Sequence, residues 1–259
     1  MKTNYHTHSF RCGHGSGTEE EYVLAAIDKN MDILGFSEHC PYPDQVFGER
    51  MPYSMMDEYL DSVKACVGKY KYKLQIHTGF EIEYLPKYTD FYEDLLVNKG
   101  VEYLILGAHF YEYAPNVYFN MFNAPSTESF IGYAHNIEAA MQTGLYSYVA
   151  HPDIFAFNNF AWDINCDRAS DIIIEAALKY GAILEYNANG FRRGKKEYPD
   201  GIRDMYPHDN FWQKVKGTGI KVIVGSDAHE PKYVYDDAIV RAYAKLAEYN
   251  ITPIEKLDI

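Results

Sequence analysis

Short apolar runs alternate along the chain with longer stretches whose apolar positions recur at the three- and four-residue spacing of an amphipathic helix. The runs predict strands at Lys2–His8, Ile33–Ser37, Lys73–Glu81, Tyr103–Gly107, Tyr146–Ala150, Ala182–Asn187 and Lys221–Gly225. Helix signals punctuate the stretches between them. Thr18-Glu19-Glu20-Glu21 reads as a capping box, and Ser54 with Asp57 can cap a helix running to Tyr70. Pro86 can open a helix that ends near Asn98-Lys99-Gly100, and a helix from about Ser126 stops at Gly144. Asp167 can cap a helix that ends at Tyr180-Gly181, and two more lie around His208–Gly217 and Tyr233–Tyr249. Seven strand-to-helix units in this order predict a parallel sheet with helical crossovers.

What stands at the strand ends changes the picture. His6, His8, His14, His39, Glu81, His109, His151, Asp227 and His229 each fall at or just past the end of a predicted strand. Strand side chains alternate with period two, so His6 and His8 share a face and can reach one ion. A lone histidine after a strand is most often a surface or hydrogen-bonded residue, and each element by itself carries little. Their coincidence at strand end after strand end describes a multinuclear metal site, because parallel α/β barrels build their sites on the carboxyl-terminal face of the sheet. His77 and His135 fall outside this pattern and read as structural.

Length and composition set the frame. A chain of 259 residues suits one α/β barrel domain over residues 1–259, a fold that commonly takes about 250. Apolar residues make up 47% and charged residues 24%, enough for a large core and no case for disorder. The net charge of −13 argues against a nucleic-acid partner, whose phosphates call for clustered Lys and Arg. No apolar run reaches the roughly 18 residues of a membrane span, and Met1–His6 leads straight into the first ligand strand, so no membrane partner and a cytoplasmic location are expected. Cys12, Cys40, Cys66 and Cys166 show no CxxC spacing and read as reduced thiols, with Cys12 and Cys40 expected to line the site rather than ligate.

The motifs His6-Thr7-His8, Gly13-His14, Ser37-Glu38-His39, Glu81, His109, His151-Pro152-Asp153 and Ser226-Asp227-Ala228-His229 resemble those of the polymerase and histidinol phosphatase (PHP) superfamily, from residue 1 to about 240, and within it the stand-alone bacterial histidinol phosphatases. The resemblance implies a distorted (β/α)7 TIM-like barrel holding three divalent metal ions. It places His6, His8, Glu81 and Asp227 on the first ion, Glu81, His109 and His151 on the second, and His14, His39 and His229 on the third. It also implies hydrolysis of L-histidinol phosphate to L-histidinol and phosphate.

Clustered divalent ions suit ester hydrolysis at phosphorus, since they neutralise phosphoryl oxygens and acidify a bridging water, so that hydroxide attacks and no Ser or Cys nucleophile is needed. Glu81 and Asp227 are the expected catalytic carboxylates. Imidazole-rich coordination favours zinc, iron or manganese over magnesium or calcium.

The phosphate should also meet a guanidinium. Arg192 is the first candidate, because Glu185-Tyr186-Asn187-Ala188-Asn189-Gly190-Phe191-Arg192 resembles the family's strand-six motif; Arg50 and His208 are further substrate-binding candidates. Asp153, Glu112 and His208 are positioned to be considered as the proton donor. One departure bears on the substrate: the segment Ile154–Phe160 after His151-Pro152-Asp153 carries no basic residue where many family phosphatases place one. Many of the 25 Tyr and 14 Phe sit in strand-to-helix loops, where they can pack the loops or wall an aromatic pocket.

The leading expectation is a phosphomonoesterase acting on a small phosphate ester. Alternatives are another small monoester, a PHP-type phosphodiesterase or nuclease, an amidohydrolase, and a structural or sensing metal site.

Overall fold

The computed structural model describes residues 1–259. The seven apolar runs form one parallel sheet whose strands lie side by side in chain order: β1 (Thr3–Asn4), β2 (Ile33–His39), β3 (Gln75–Ile82), β4 (Tyr103–Leu106), β5 (Tyr148–Val149), β6 (Leu184–Asn187) and β7 (Val222–Gly225). The run-like pattern has a simple cause. A parallel sheet is covered on both faces, so every residue of β2, β4 and β7 is buried and none needs to be polar for solvent.

The sheet curls until its edges nearly meet. Just past β1 and β7, Thr7 bridges Ala228; the His8 N–H donates to Ala228 O at 2.8 Å, and the Ala228 N–H to His6 O at 3.2 Å. This closure brings the His6-His8 segment alongside the Asp227-His229 segment, the first and last ligand pairs in the sequence.

Helices α1 (Glu19–Asp28), α2 (Met56–Tyr70), α3 (Thr89–Asn98), α4 (Ser129–Thr143), α5 (Ile164–Tyr180), α6 (Asp209–Val215) and α7 (Asp237–Glu248) surround the barrel. Two large apolar clusters fill the space between helices and sheet. A small third cluster of Tyr5, Ile33, Tyr103, Ile105, Tyr148, Ala150, Ile223 and Leu257 fills the barrel interior. No helix is long and apolar enough to cross a membrane.

The Thr18/Glu21 capping box forms as expected, and Gly144 and Gly181 stop α4 and α5 in the left-handed conformation. Other boundaries differ from the expectation. Strand β1 is only two residues long because the Asn4 side chain takes over: its Oδ1 accepts the N–H groups of His6 (3.2 Å) and Ser226 (2.9 Å), a local bond that competes with the ladder. Asp163 rather than Asp167 caps α5, accepting from the Asn165 and Cys166 N–H groups, while Asp167 accepts from Trp162 Nε1. Helix α2 starts after a 3-10 turn without a side-chain cap from Ser54 or Asp57. Asp236 caps α7, so that helix begins at Asp237 and not at Tyr233. Two antiparallel hairpins, Phe110–Ala114 with Val117–Asn120 and Lys195–Tyr198 with Gly201–Asp204, occupy stretches where no strand was expected.

Candidate metal centre

Eight of the nine ligand candidates are delivered by strand ends. His6 and His8 follow β1, His39 is the last residue of β2, Glu81 lies in β3, His109 and His151 follow β4 and β5, and Asp227 and His229 follow β7. His14 reaches in from the turn after Phe10–Cys12. Three of these approaches bend the chain through the left-handed region: Ala108 (φ 51°), next to His109, His151 (φ 29°) and Asp227 (φ 50°). Such a residue costs on the order of 1–3 kcal/mol and persists where its surroundings over-determine it, as at functional sites.

Glu81 is the hub. Its Oε1 lies 3.0 Å from His151 Nε2, 3.5 Å from His6 Nε2 and 3.6 Å from His109 Nε2; its Oε2 lies 2.9 Å from His39 Nδ1 and 3.4 Å from His8 Nε2. Asp227 Oδ1 stands 3.6 Å from His6 Nε2, 3.5 Å from His8 Nε2 and 3.4 Å from His229 Nδ1. His14 stacks against His39 and His229 with ring centroids 5.3 and 4.7 Å apart. The structure thus brings all nine candidates into one basin.

Several of these atoms are buried without a hydrogen-bond partner: His6 Nε2, His8 Nδ1 and Nε2, His39 Nδ1, Glu81 Oε2, His151 Nδ1 and His229 Nε2. A buried polar atom left unpaired is costly, and those that face the basin, His6 Nε2, His8 Nε2 and Glu81 Oε2 among them, fit a set of divalent cations. The donors fall into groups whose ligand atoms lie within 4.8 Å of one another: His6/His8/Glu81, His6/His151/Asp227, His39/Glu81/His109 and His8/His39/His229. Cys12 Sγ comes within the same reach of His14 and His229, but it donates to Ser9 O and accepts from the Gly15 N–H. Cys40 is buried with its Sγ turned to Pro41 O.

The protonation states suit ligation. Burial pushes His8 well below the ordinary imidazole range, His39 to about 3, and His229 down as well, so these three present neutral rings. Burial opposes charge on His6 too, yet Glu185, Asp227 and Glu81 together raise it, which makes metal and proton competitors there. Glu81 is desolvated, but His109, His6 and His39 hold its carboxyl well below the usual range.

Behind the ligands lie carboxylates that the sequence pattern did not single out. Glu185, on β6, accepts from His6 Nδ1 (2.7 Å), the His151 N–H (2.9 Å) and Asn187 Nδ2 (2.8 Å). Asn187 and Asn189 in turn donate to Asp227 Oδ2 at 3.3 and 3.0 Å. Glycine is required opposite Glu185, because a Cβ on Gly225 would sit 1.6 Å from Glu185 Oε1. Glu38 accepts the Ser9 N–H and so fixes the turn that carries His14. The signals for Glu185 were its place at the head of the strand-six motif and on β6, the only strand without a ligand of its own.

The basin opens into a cavity of about 460 Å³ lined, beyond the ligands, by Arg50, Arg193, Tyr206, Glu49, Asn120, Asn189, Phe110, Phe122 and Phe157. Phe110 stacks on Phe47, and Phe122 stacks on His109 and meets Phe157 edge-on. Some loop aromatics therefore wall the cavity, whereas Tyr42, Tyr88 and Tyr92 pack against one another in the core.

Comparison with known proteins bears on this arrangement. The model of the PHP domain family matches residues 4–189. The chain belongs to the PHP domain family. A "Probable histidinol-phosphatase" of Deinococcus radiodurans is 27% identical to it over 234 residues, covering 87% of this chain and 85% of that one. The "Histidinol-phosphatase" of Bacillus subtilis is 23% identical, covering 89% and 94%. Among solved structures, a histidinol phosphate phosphatase from Lactococcus lactis, complexed with zinc, L-histidinol and phosphate, superposes with a TM-score of 0.74 at 17% identity and covers 100% and 99% of the two chains. The distorted seven-stranded α/β barrel is thus the PHP fold.

Two sequence expectations for this PHP domain need correcting. Arg192 does not face the basin. Its Nε and Nη2 grip Asp236 at 2.8 and 2.7 Å, while Nη1 and Nη2 donate to Ser226 O and Oγ at 2.5 and 2.9 Å. Every edge of that guanidinium is occupied in fastening the segment after β7 to the α7 cap. The next residue, Arg193, lines the cavity instead. His208 is the second correction: it caps α6 through Nδ1, stacks on Trp162 at 4.2 Å and lines a separate cavity with Asp200 and Arg203.

Neither of the other proton-donor candidates reaches the basin. Asp153 is buried, its Oδ2 accepting from the His208 N–H (2.6 Å) and Trp212 Nε1 (3.1 Å), and Glu112 accepts from the Asn116 N–H in the first hairpin. Arg50 does line the cavity, with Nη2 2.5 Å from Glu83 Oε1. His77 and His135 pair with Glu102 and Glu138 away from the site.

Proposed function

We propose that this chain, as one barrel domain over residues 1–259, is a metal-dependent phosphomonoesterase that hydrolyses L-histidinol phosphate to L-histidinol and phosphate. One observation carries the reading: nine ligand candidates converge, seven of them lining a cavity whose only other cations are two guanidiniums, Arg50 and Arg193, beside a wall of phenylalanines. The names of its relatives support the substrate.

Three divalent ions, of zinc, iron or manganese, fit the donor set. In this reading His6, His8, Glu81 and Asp227 hold one, Glu81 with His109 and His151 a second, and His14, His39 and His229 a third. Bound there, the ions supply neutralisation of the phosphoryl oxygens and a water acidic enough to attack phosphorus near neutral pH.

The chain's own residues do the rest. Glu81 and Asp227 stay deprotonated and shape the floor. Arg193 and Arg50 present N–H edges to phosphoryl oxygens, a planar match that favours the more highly charged transition state. Arg193 also approaches the Phe157 ring, with its guanidinium carbon 5.8 Å from the centroid. It stands beside the loop Ile154–Phe160, which lacks a basic residue of its own, so the charge absent after β5 is supplied from the end of β6. Phe110, Phe122 and Phe157 give a planar ring carried by the leaving alcohol, such as the imidazole of L-histidinol, a surface and keep water off it. Outside the ligand set, Tyr206 and Glu49 are the cavity's remaining acids; burial raises the Tyr206 hydroxyl pKa, so that proton stays in place.

A nucleic-acid phosphodiester is a poorer fit, since the cavity lining carries no lysine and the chain's net charge is −13. The test is hydrolysis by metal-loaded protein, read as phosphate release from L-histidinol phosphate and from other amino-alcohol and sugar phosphates, as alcohol release from a phosphodiester and as amine release from an amide. Turnover of the first with a kcat/KM above all others is expected; turnover of none of the monoesters would overturn the reading.

A further inference from the structure

We infer that Glu83 is a positioning residue that holds the metal-ligand candidate His109 and the cavity arginine Arg50 on one carboxylate, setting the ion site and the phosphate grip together. The inference rests on the metal-hydrolase reading of the basin and goes beyond its ligand and substrate assignments.

Glu83 lies one residue past β3 and two past Glu81, so the two carboxylates leave the chain on the same face. Its backbone is pinned on both sides: the N–H donates to Tyr42 Oη at 2.8 Å, and Tyr92 Oη donates to its carbonyl at 2.7 Å. The carboxylate, 1% exposed, has no freedom left. Oε1 accepts from His109 Nδ1 at 3.0 Å and Arg50 Nη2 at 2.5 Å, and Oε2 accepts from the Phe110 N–H at 3.1 Å.

Each bond has a consequence at the site. A carboxylate can only accept, so His109 donates from Nδ1 and its Nε2 lone pair is left pointing at Glu81 and His151, 3.6 and 3.2 Å away. Arg50 is held by one edge of its fork, and its buried Nε has no partner. Tyr42 and Phe47 lie against the same guanidinium, 5.6 and 5.2 Å from its carbon. An arginine so clamped offers its remaining edge to an anion in the cavity without first losing side-chain freedom. The Phe110 bond adds the cavity wall to the same anchor.

Replacing the carboxylate by an isosteric amide tests this. In Glu83→Gln the side chain keeps its volume but loses the charge that holds His109 and Arg50 on Oε1, and its amide nitrogen cannot accept the Phe110 N–H as Oε2 does, so the clamp weakens at all three donors. Zinc retention after dialysis against a chelator is expected to fall about 10–100-fold. KM for L-histidinol phosphate, and Kd for inorganic phosphate by calorimetry on zinc-loaded protein, are expected to rise about tenfold. Arg50→Met should raise KM and phosphate Kd to a similar degree while zinc retention stays at the parent's level. The double variant should bind phosphate no worse than Arg50→Met alone, and Glu83→Asp, which keeps the charge, should recover part of the zinc retention. Parent-like zinc retention and phosphate Kd in Glu83→Gln would overturn the inference, and so would losses that simply multiply in the double variant. Zinc retention and phosphate binding are read without turnover, so a failure of the substrate assignment is distinguishable from a failure of this one.

Discussion

His6 Nδ1 lies 2.7 Å from Glu185 Oε1, and neither side chain has measurable exposure. The imidazole therefore donates its Nδ1–H to Glu185 as a hydrogen bond and turns Nε2 toward Glu81 and Asp227. The same carboxylate accepts the His151 N–H, so one residue of β6 fixes ligand candidates that follow β1 and β5.

Glu185→Gln should accordingly weaken metal retention about 10–100-fold, because the amide can present the wrong hydrogen-bonding face to His6. Elemental analysis after dialysis against a chelator measures it. Gly225→Ala should act similarly by displacing Glu185.

Asp227→Asn should cut turnover by orders of magnitude and lower metal content together. The asparagine keeps the shape but removes the charge next to His6, His8 and His229. Phosphate release and elemental analysis on the same sample check both halves.

The two adjacent arginines should separate cleanly. Arg193→Ala is expected to raise KM about tenfold with metal content unchanged. Arg192→Ala is expected to leave KM within about twofold of the parent but to cost about 3 kcal/mol of stability, since Asp236 and Ser226 lose a largely buried partner. Michaelis kinetics and thermal melts distinguish the two effects.

Asp153 gives a pH prediction. Burial raises its carboxyl from 3.8 to about 6, against the pull of the His208 and Trp212 N–H bonds. The native state thus binds more protons than the unfolded one, and this group's contribution favours folding below pH 3.8 and is lost as pH rises to about 6. Asp153→Asn removes that titration. Its Tm relative to the parent should climb between about pH 4 and 6.5 and then stay level; a constant difference across that window would contradict the assignment.

Much of the barrel was legible because parallel strands covered on both faces read as unbroken apolar runs, and because His6-Thr7-His8 and Ser226-Asp227-Ala228-His229 sit where such strands end. The rest was hidden for physical reasons. Arg192 and Arg193 share a single helical turn, Asn189–Arg192 and its C-cap, where consecutive side chains diverge by about 100°. The motif located that turn without showing which arginine faces inward. Glu185 opened the strand-six motif, but nothing in that motif showed that its partner is His6, 179 residues away. Asp163 and Asp167 are both competent caps, and tertiary hydrogen bonds separate them: Thr127 Oγ1 donates to Asp163 at 2.6 Å, while Trp162 Nε1 donates to Asp167. His208 was read for its imidazole chemistry, while its Nδ1 serves the α6 N-terminus.

The most direct test of the central claim is paired measurement of bound metal and phosphate release from L-histidinol phosphate on one preparation, before chelation, after it, and after zinc, iron or manganese is restored. Activity that tracks bound metal, disappears with it and returns on reloading is the predicted result. Undiminished phosphate release from protein stripped of every ion would contradict the account.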